Sequence, residues 1–154
     1  MAAKSEFYEI DTGVAEVLHE PDGSMVLLVN GVPSSHIVPG EPTRLEIGDR
    51  NIIREFVTIH RASTKEDHVT LVGSDNMFMA YSHIGHDCRV GNHVTMANAA
   101  TLAGHVTVED YVIIAGLCAI HQFARIGAYA MLGGGTMAPM DIPPYAMASG
   151  NHAK

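Results

Sequence analysis

Long apolar runs, cysteine and positive charge are all scarce in this chain of 154 residues. No stretch approaches the roughly 20 apolar residues that a membrane-spanning helix requires, so no such helix is expected. The opening MAAKSEFYEID also lacks the apolar core of a signal peptide. A soluble, cytoplasmic protein is the expectation. Lys and Arg number 9 against 17 Asp and Glu, a formal charge of -8, which argues against nucleic acid as a partner, because phosphates call for a basic surface. The imbalance is local: residues 1–42 hold one Lys and seven Asp or Glu, and the remainder is close to neutral. The length suffices for one domain with a sizeable core.

What the chain does have is a six-residue period. Val72, Phe78, Ile84, Val90, Met96, Leu102, Val108, Ile114, Ile120, Ile126, Leu132 and Ala138 are all apolar. A helix repeats every 3.6 residues and a strand every 2, so this spacing marks a stacked hexapeptide repeat and hence an all-β fold, a parallel β-helix. Four residues after each apolar position, from Ser82 to Thr136, come small or β-branched residues suited to the inner corners of a narrow coil. Gly73, Gly85, Gly91, Gly127 and Gly133 follow the apolar column directly and are expected where the chain bends sharply. Cys88 and Cys118 both point inward. The 30 residues between them are not a whole number of 18-residue coils, so they should lie on different faces without a disulfide.

Ile47, Ile53 and Ile59 keep the six-residue spacing in another phase. Residues 40–154 therefore read as β-helix with a loop inserted at about 60–71, where Arg61, Lys65, Glu66, Asp67 and His68 are polar or charged. Residues 1–39 have no hexad. Alternation over Val14–Leu18, the turn signal Glu20-Pro21-Asp22-Gly23 and the run Ser24–Asn30 predict a β-hairpin that caps the first coil, whose strand edges would otherwise recruit other chains.

With three hexads per coil, residues 18 apart lie above one another at the strand spacing of about 4.8 Å. His86, Gly104 and Gln122 then share one column, Asp87, His105 and Phe123 the next, and Gly85, Ala103 and His121 the one before. His86, Asp87, His105, His121 and Gln122 converge on one edge, and Gly104 leaves room above His86 for a substrate. A neutral imidazole is the natural base for a hydroxyl proton at neutral pH, and an adjacent carboxylate orients it and stabilises the imidazolium. His83 comes one turn earlier as a binding candidate. His93 has no stacked partner of chemical interest and reads as structural, while His60 and His68 fall in the interruption and have no predicted place.

The segments GEPTRLEIGDRNIIREFVTIHR, HIGHDCRVGN, ANAATLAGHVTVEDYVIIAG, AIHQF and DIPPYAMASGNHA resemble the central part of the acyl-carrier-protein UDP-N-acetylglucosamine O-acyltransferases of lipid A synthesis. That resemblance implies a left-handed β-helix and a homotrimer with active sites in clefts between subunits, and it calls for no cofactor and no metal. It implies His86 as the general base on the sugar 3-hydroxyl and Asp87 as its orienting acid. By the same resemblance His83, His105, His121 and Gln122 line the cleft for UDP-N-acetylglucosamine and acyl-pantetheine. The Gly116 amide would donate to the thioester carbonyl, and a bare Gly134 would admit a longer 3-hydroxyacyl chain.

Departures from the family are plain. Its members begin with several more coils, supply a substrate-contacting lysine where this chain reads VPSSHIVPG, and continue into a basic helical domain. Docking of acyl carrier protein is therefore expected to be poor. GVAEVLHEPDGSMVLLVNGVPSSH instead resembles the N-terminal hairpin of polyamine aminopropyltransferases, as in a chimera, without the domain that would carry that activity. Two other readings stand beside acyl transfer: a zinc enzyme like the γ-type carbonic anhydrases, using three of His83, His86, His105 and His121, and a truncated or chimeric β-helix scaffold with little turnover.

Overall fold

The computed structural model describes residues 43–63 and 67–153 in full, and residues 4–10, 13–19, 25–29 and 32–33 by their backbone. Every regular element among them is a strand, and no helix is long and apolar enough to cross a membrane. The backbone segments β1 (Lys4–Ile10), β2 (Gly13–His19), β3 (Met25–Val29) and β4 (Val32–Pro33) form an antiparallel sheet in that order. The hairpin read from the sequence is its central pair, with Val17 opposite Leu27. Sequence gave no sign of β1, which pairs Phe7 with Glu16. The turn at 20–23, the boundary at 39–40, the VPSSHIVPG segment beyond Pro33 and Lys65–Glu66 lie outside the described residues.

From Arg44 the chain winds into a three-sided prism whose short strands stack in parallel, coil upon coil. One face carries strands Arg44–Ile47, Val69–Val72, Arg89–Val90, Thr107–Val108 and Arg125–Ile126. Its outward side is charged, with Arg89 paired to Asp67 and Arg125 to Glu109. The next face, from Ile52–Ile53 through Met77–Phe78, Thr95–Met96, Ile113–Ile114 and Met131–Leu132 to Met147–Ala148, is largely apolar outside. Ile113 is 45% exposed and Met147 74%. The third face stacks Thr58–Ile59, His83–Ile84, Thr101–Leu102, Ala119–Ile120 and Met137–Ala138.

Both columns read from the sequence are buried throughout, from Phe78, Ile84 and Leu102 at 0% exposure in the first to Ser82, Cys88 and Thr136 at 0% in the second. Neither cysteine is in a disulfide. Cys88 Sγ donates to the Ala103 carbonyl and Cys118 Sγ to that of Gly133. Burial pushes the Cys88 thiol up to about 12, which removes it as a nucleophile at neutral pH.

The interruption is shorter than its polarity suggests, because Val69–Val72 is a strand in register with Arg44–Ile47. Coil neighbours across it are 25 residues apart instead of 18, so seven residues are extruded. That shift is the phase change between Ile59 and Val72.

The glycines do not mark the bends. The left-handed residue at each corner lies two positions later and is seldom glycine: Asp87, His93, His105, Tyr111, Leu117, Phe123 and Tyr129 all have φ between 57° and 67°. Such a residue costs about 1–2 kcal/mol. The offset is a backbone bond to the preceding coil, as from His105 N to His86 O at 2.9 Å or Tyr129 N to Asp110 O at 3.0 Å. Gly85 has a different cause: a Cβ there would sit 2.7 Å from the Ala103 carbonyl carbon, so close approach of successive coils excludes a side chain.

Side chains at the left-handed positions stack in line. His93, Tyr111, Tyr129 and Tyr145 form a ladder with centroids 4.6, 4.8 and 5.1 Å apart. His93 thus gains a ring partner that the sequence reading denied it, and keeps a structural role.

Neighbouring residues of one strand allow a direct check on this packing. Val108→Ala should cost about 1.5–3 kcal/mol, whereas Thr107→Ser, outward on the same strand of the charged face, should change stability by about 0.5 kcal/mol or less. Urea unfolding of both variants measures the contrast.

Candidate active site

The edge between the third face and the charged face holds the corner residues 85–88, 103–106 and 121–124 of three successive coils. It is also where the seven extra residues leave the prism. Loop and histidines therefore share one rim.

At its centre His86 Nδ1 lies 2.7 Å from Asp87 Oδ2. Asp87 is buried, while the His86 side chain is 47% exposed. A carboxylate can only accept here, so Nδ1 carries the proton and Nε2 keeps its lone pair. The strand-to-corner geometry holds Asp87 from several sides. Ser63 N donates to both carboxylate oxygens, at 3.1 and 3.0 Å, and Asp87 N donates to the fully buried Thr70 Oγ1 at 2.9 Å. Burial alone would raise the Asp87 pKa, but the hydrogen bonds from His86 and Ser63 outweigh it and hold the carboxyl below its usual range.

His105 approaches the same carboxylate, Nε2 standing 3.7 Å from Asp87 Oδ2. Its ring meets His86 edge-on at 5.1 Å and stacks on Phe123 at 4.7 Å. Gly104 does not leave space for a substrate. A Cβ there would lie 2.6 Å from His86 Cε1 and 2.7 Å from Nε2, so the bare backbone seats the imidazole itself.

His83 projects from the adjoining face, its Nδ1 2.7 Å from Thr58 Oγ1, with His60 edge-on against it at 4.7 Å. Burial, then the neighbouring His60 and His86, push His83 down to about 4, so it is a neutral imidazole at ordinary pH. His121 and Gln122 occupy the next coil of the edge, both exposed, with His121 Nδ1 3.0 Å from the Gln122 carbonyl oxygen. Beyond them a groove of about 390 Å³ runs between Gln122, Phe123, Pro139, Met140 and Asp141.

Gly116 and Gly134 do not join this group. They stack 18 residues apart on the edge between the apolar and third faces, where Gly135 N bonds to Gly116 O at 2.9 Å. At Gly134 an added Cβ would meet only that carbonyl oxygen, at 3.6 Å. Packing within the chain does not demand glycine there.

Sequence reading missed Ser63, Thr70, Thr58 and His60. The first two hold the carboxylate from the loop and its returning strand. Thr58 and His60 come into line with His83 and Gly85 only when the length of the insertion is known.

Much of the chain is similar to known acyltransferases. An acyl-[acyl-carrier-protein]–UDP-N-acetylglucosamine O-acyltransferase of Burkholderia mallei (strain SAVP1) is 52% identical over 126 residues, 82% of this chain and 48% of the relative. LpxA from Acinetobacter baumannii is 47% identical with a TM-score of 0.73, over 74% of this chain and 44% of that one. The UDP-N-acetylglucosamine acyltransferase from Campylobacter jejuni is 42% identical with a TM-score of 0.72, over 75% and 46%. This chain spans about half the length of the curated relatives it matches. No family model matches it. The repeat is homologous to the central part of these acyltransferases, and its fold class is the left-handed parallel β-helix.

The buried imidazole of His83 should leave a mark on stability. The unfolded chain takes up this proton near pH 6.5, whereas the folded chain resists until about 4. The unfolded state thus binds more protons within that window, and stability is lost as pH falls through it. His83→Gln should flatten the fall in urea midpoint between 6.5 and about 4; an unchanged slope would assign it to other groups.

Proposed function

We propose, from the 126-residue homology to UDP-N-acetylglucosamine O-acyltransferases, that this chain moves a 3-hydroxyacyl group from acyl carrier protein to the 3-hydroxyl of UDP-N-acetylglucosamine. One observation carries the reading: a half-exposed His86 whose Nδ1 is bound to the buried Asp87, leaving Nε2 as a base. His86 Nε2 takes the sugar hydroxyl proton as that oxygen attacks the thioester carbon. The carbon–sulfur bond then breaks, and the departing thiolate recovers the proton from His86. Asp87 stabilises the imidazolium between these steps. His83, neutral and hydrogen-bonded to Thr58, is suited to orient substrate. His105, His121 and Gln122 extend the lining toward the groove.

Two edges are needed for the whole reaction. The Gly116 amide, as donor to the developing oxyanion, and Gly134, as the end of the acyl channel, lie on a different edge from His86. A second copy of the chain must bring its glycine edge to the histidine edge of the first. A head-to-tail contact of this kind can close into a ring, and a ring of three is the assembly that the resemblance to these acyltransferases implies. The apolar outer face supports such a homotrimer. Buried, reduced thiols suit a cytoplasmic setting. The matches do not favour a carbonic anhydrase.

The test is transfer from 3-hydroxyacyl carrier protein to UDP-N-acetylglucosamine. His86→Ala should reduce kcat at least ~100-fold, and Gly104→Ala at least ~10-fold, because its Cβ displaces the base. Gly134→Met should shift preference toward shorter acyl chains. Native mass should correspond to three 16.5-kDa chains. A monomer, or equal background rates with and without His86, would favour an inert scaffold instead.

A further inference from the structure

The same carboxylate that orients His86 lies between two imidazoles, and this has a consequence that acyl transfer does not require. Ligand atoms of His86, Asp87 and His105 all fall within 4.8 Å of one another. Asp87 Oδ2 is 2.7 Å from His86 Nδ1 and 3.7 Å from His105 Nε2. Two imidazoles and a carboxylate converging with solvent on one side suit a borderline divalent ion, with metal–ligand distances of about 2.0–2.2 Å and open positions for water. Asp87 and His105 are nearly enclosed and already fixed, by Ser63 N, Thr70 and the Phe123 ring. His86 has the most exposed side chain of the three, 47% against 3% for Asp87 and 9% for His105, and so has the most room to turn toward an ion.

We infer that His86, Asp87 and His105 form an inhibitory site for a divalent transition-metal ion such as zinc, and that metal and sugar hydroxyl exclude one another there. The exclusion follows from counting lone pairs on one neutral imidazole, which has a single N–H. An ion on Nε2 takes the basic lone pair directly. An ion on Nδ1 displaces the proton to Nε2, which turns the base into a donor. Either arrangement leaves His86 unable to accept the hydroxyl proton. The effect on turnover rests on the acyl-transfer reading; the affinity for metal does not.

The experiment uses the full chain stripped with chelator, zinc measured by equilibrium dialysis and cobalt(II) followed by its visible absorption. One ion per chain should bind, and His105→Gln and Asp87→Asn should each weaken it at least about 10-fold, the least that loss of even an outer-shell partner costs, while urea unfolding shows them folded. His93→Ala, on another edge, should leave affinity unchanged. Zinc should inhibit transfer at the concentration at which it binds, and chelator should restore the rate. Failure to bind zinc, or binding that His105→Gln leaves unaltered, would overturn the site. Occupation without inhibition would overturn the exclusion. Absence of turnover in stripped protein would count against the acyl-transfer reading alone.

Discussion

The stacking of one coil on the next at the strand spacing governs everything else in this molecule. Corner amides reach back to a carbonyl of the coil before, as His105 N does to His86 O and Tyr111 N to Asn92 O, while Asp87 N reaches the Thr70 hydroxyl instead. That bond is available only if the residue adopts a left-handed conformation, which side chains ordinarily avoid. A run of such corners is maintained because slippage by one residue would turn every buried Ile, Val and Leu outward. Register is thus a cooperative property of the whole prism, and it decides which side chains meet on an edge.

The candidate site exploits that register in two ways. Residues 18 apart arrive beside one another without any loop to position them, so Gly104 can cradle the His86 ring and His105 can approach Asp87 from the next coil. The seven-residue insertion leaves the winding at the same rim, where Ser63 and Thr70 fix the carboxylate. Rigid coils supply spacing; the extruded loop supplies the hydrogen bonds that corner geometry alone does not provide.

Much of this was legible in the sequence because a six-residue period leaves few alternatives. Twelve apolar positions from Val72 to Ala138 identify the inner column, and the same arithmetic puts His86, Asp87 and His105 on one edge. Other features were not legible, for physical reasons. Glycine after the apolar column looks like a bend but answers to the close approach of coils, since Asp, His and Tyr accept the left-handed corners when a backbone bond repays the strain. Gly104 looked like space for a ligand, because a column of Cα positions says nothing of where the imbedded ring turns. Thr58 and His60 were hidden by an insertion whose length cannot be counted from polarity. The acidic N-terminal segment carries a hairpin signal but no trace of its outer strand β1.

Function enters where two edges of the prism are considered together. His86 and its partners lie on one edge, and Gly116 and Gly134 on another, so the chemistry proposed for this chain is divided between copies. Subunit mixing addresses that division most directly. Chains carrying His86→Ala and chains carrying Gly134→Trp, each inactive alone toward a long 3-hydroxyacyl donor, would be unfolded, combined in equal amounts and refolded together. The account expects recovery to about a quarter of the unmodified rate, from interfaces that join an intact histidine edge to an intact glycine edge. Mixed assemblies with no more activity than either variant alone would contradict it.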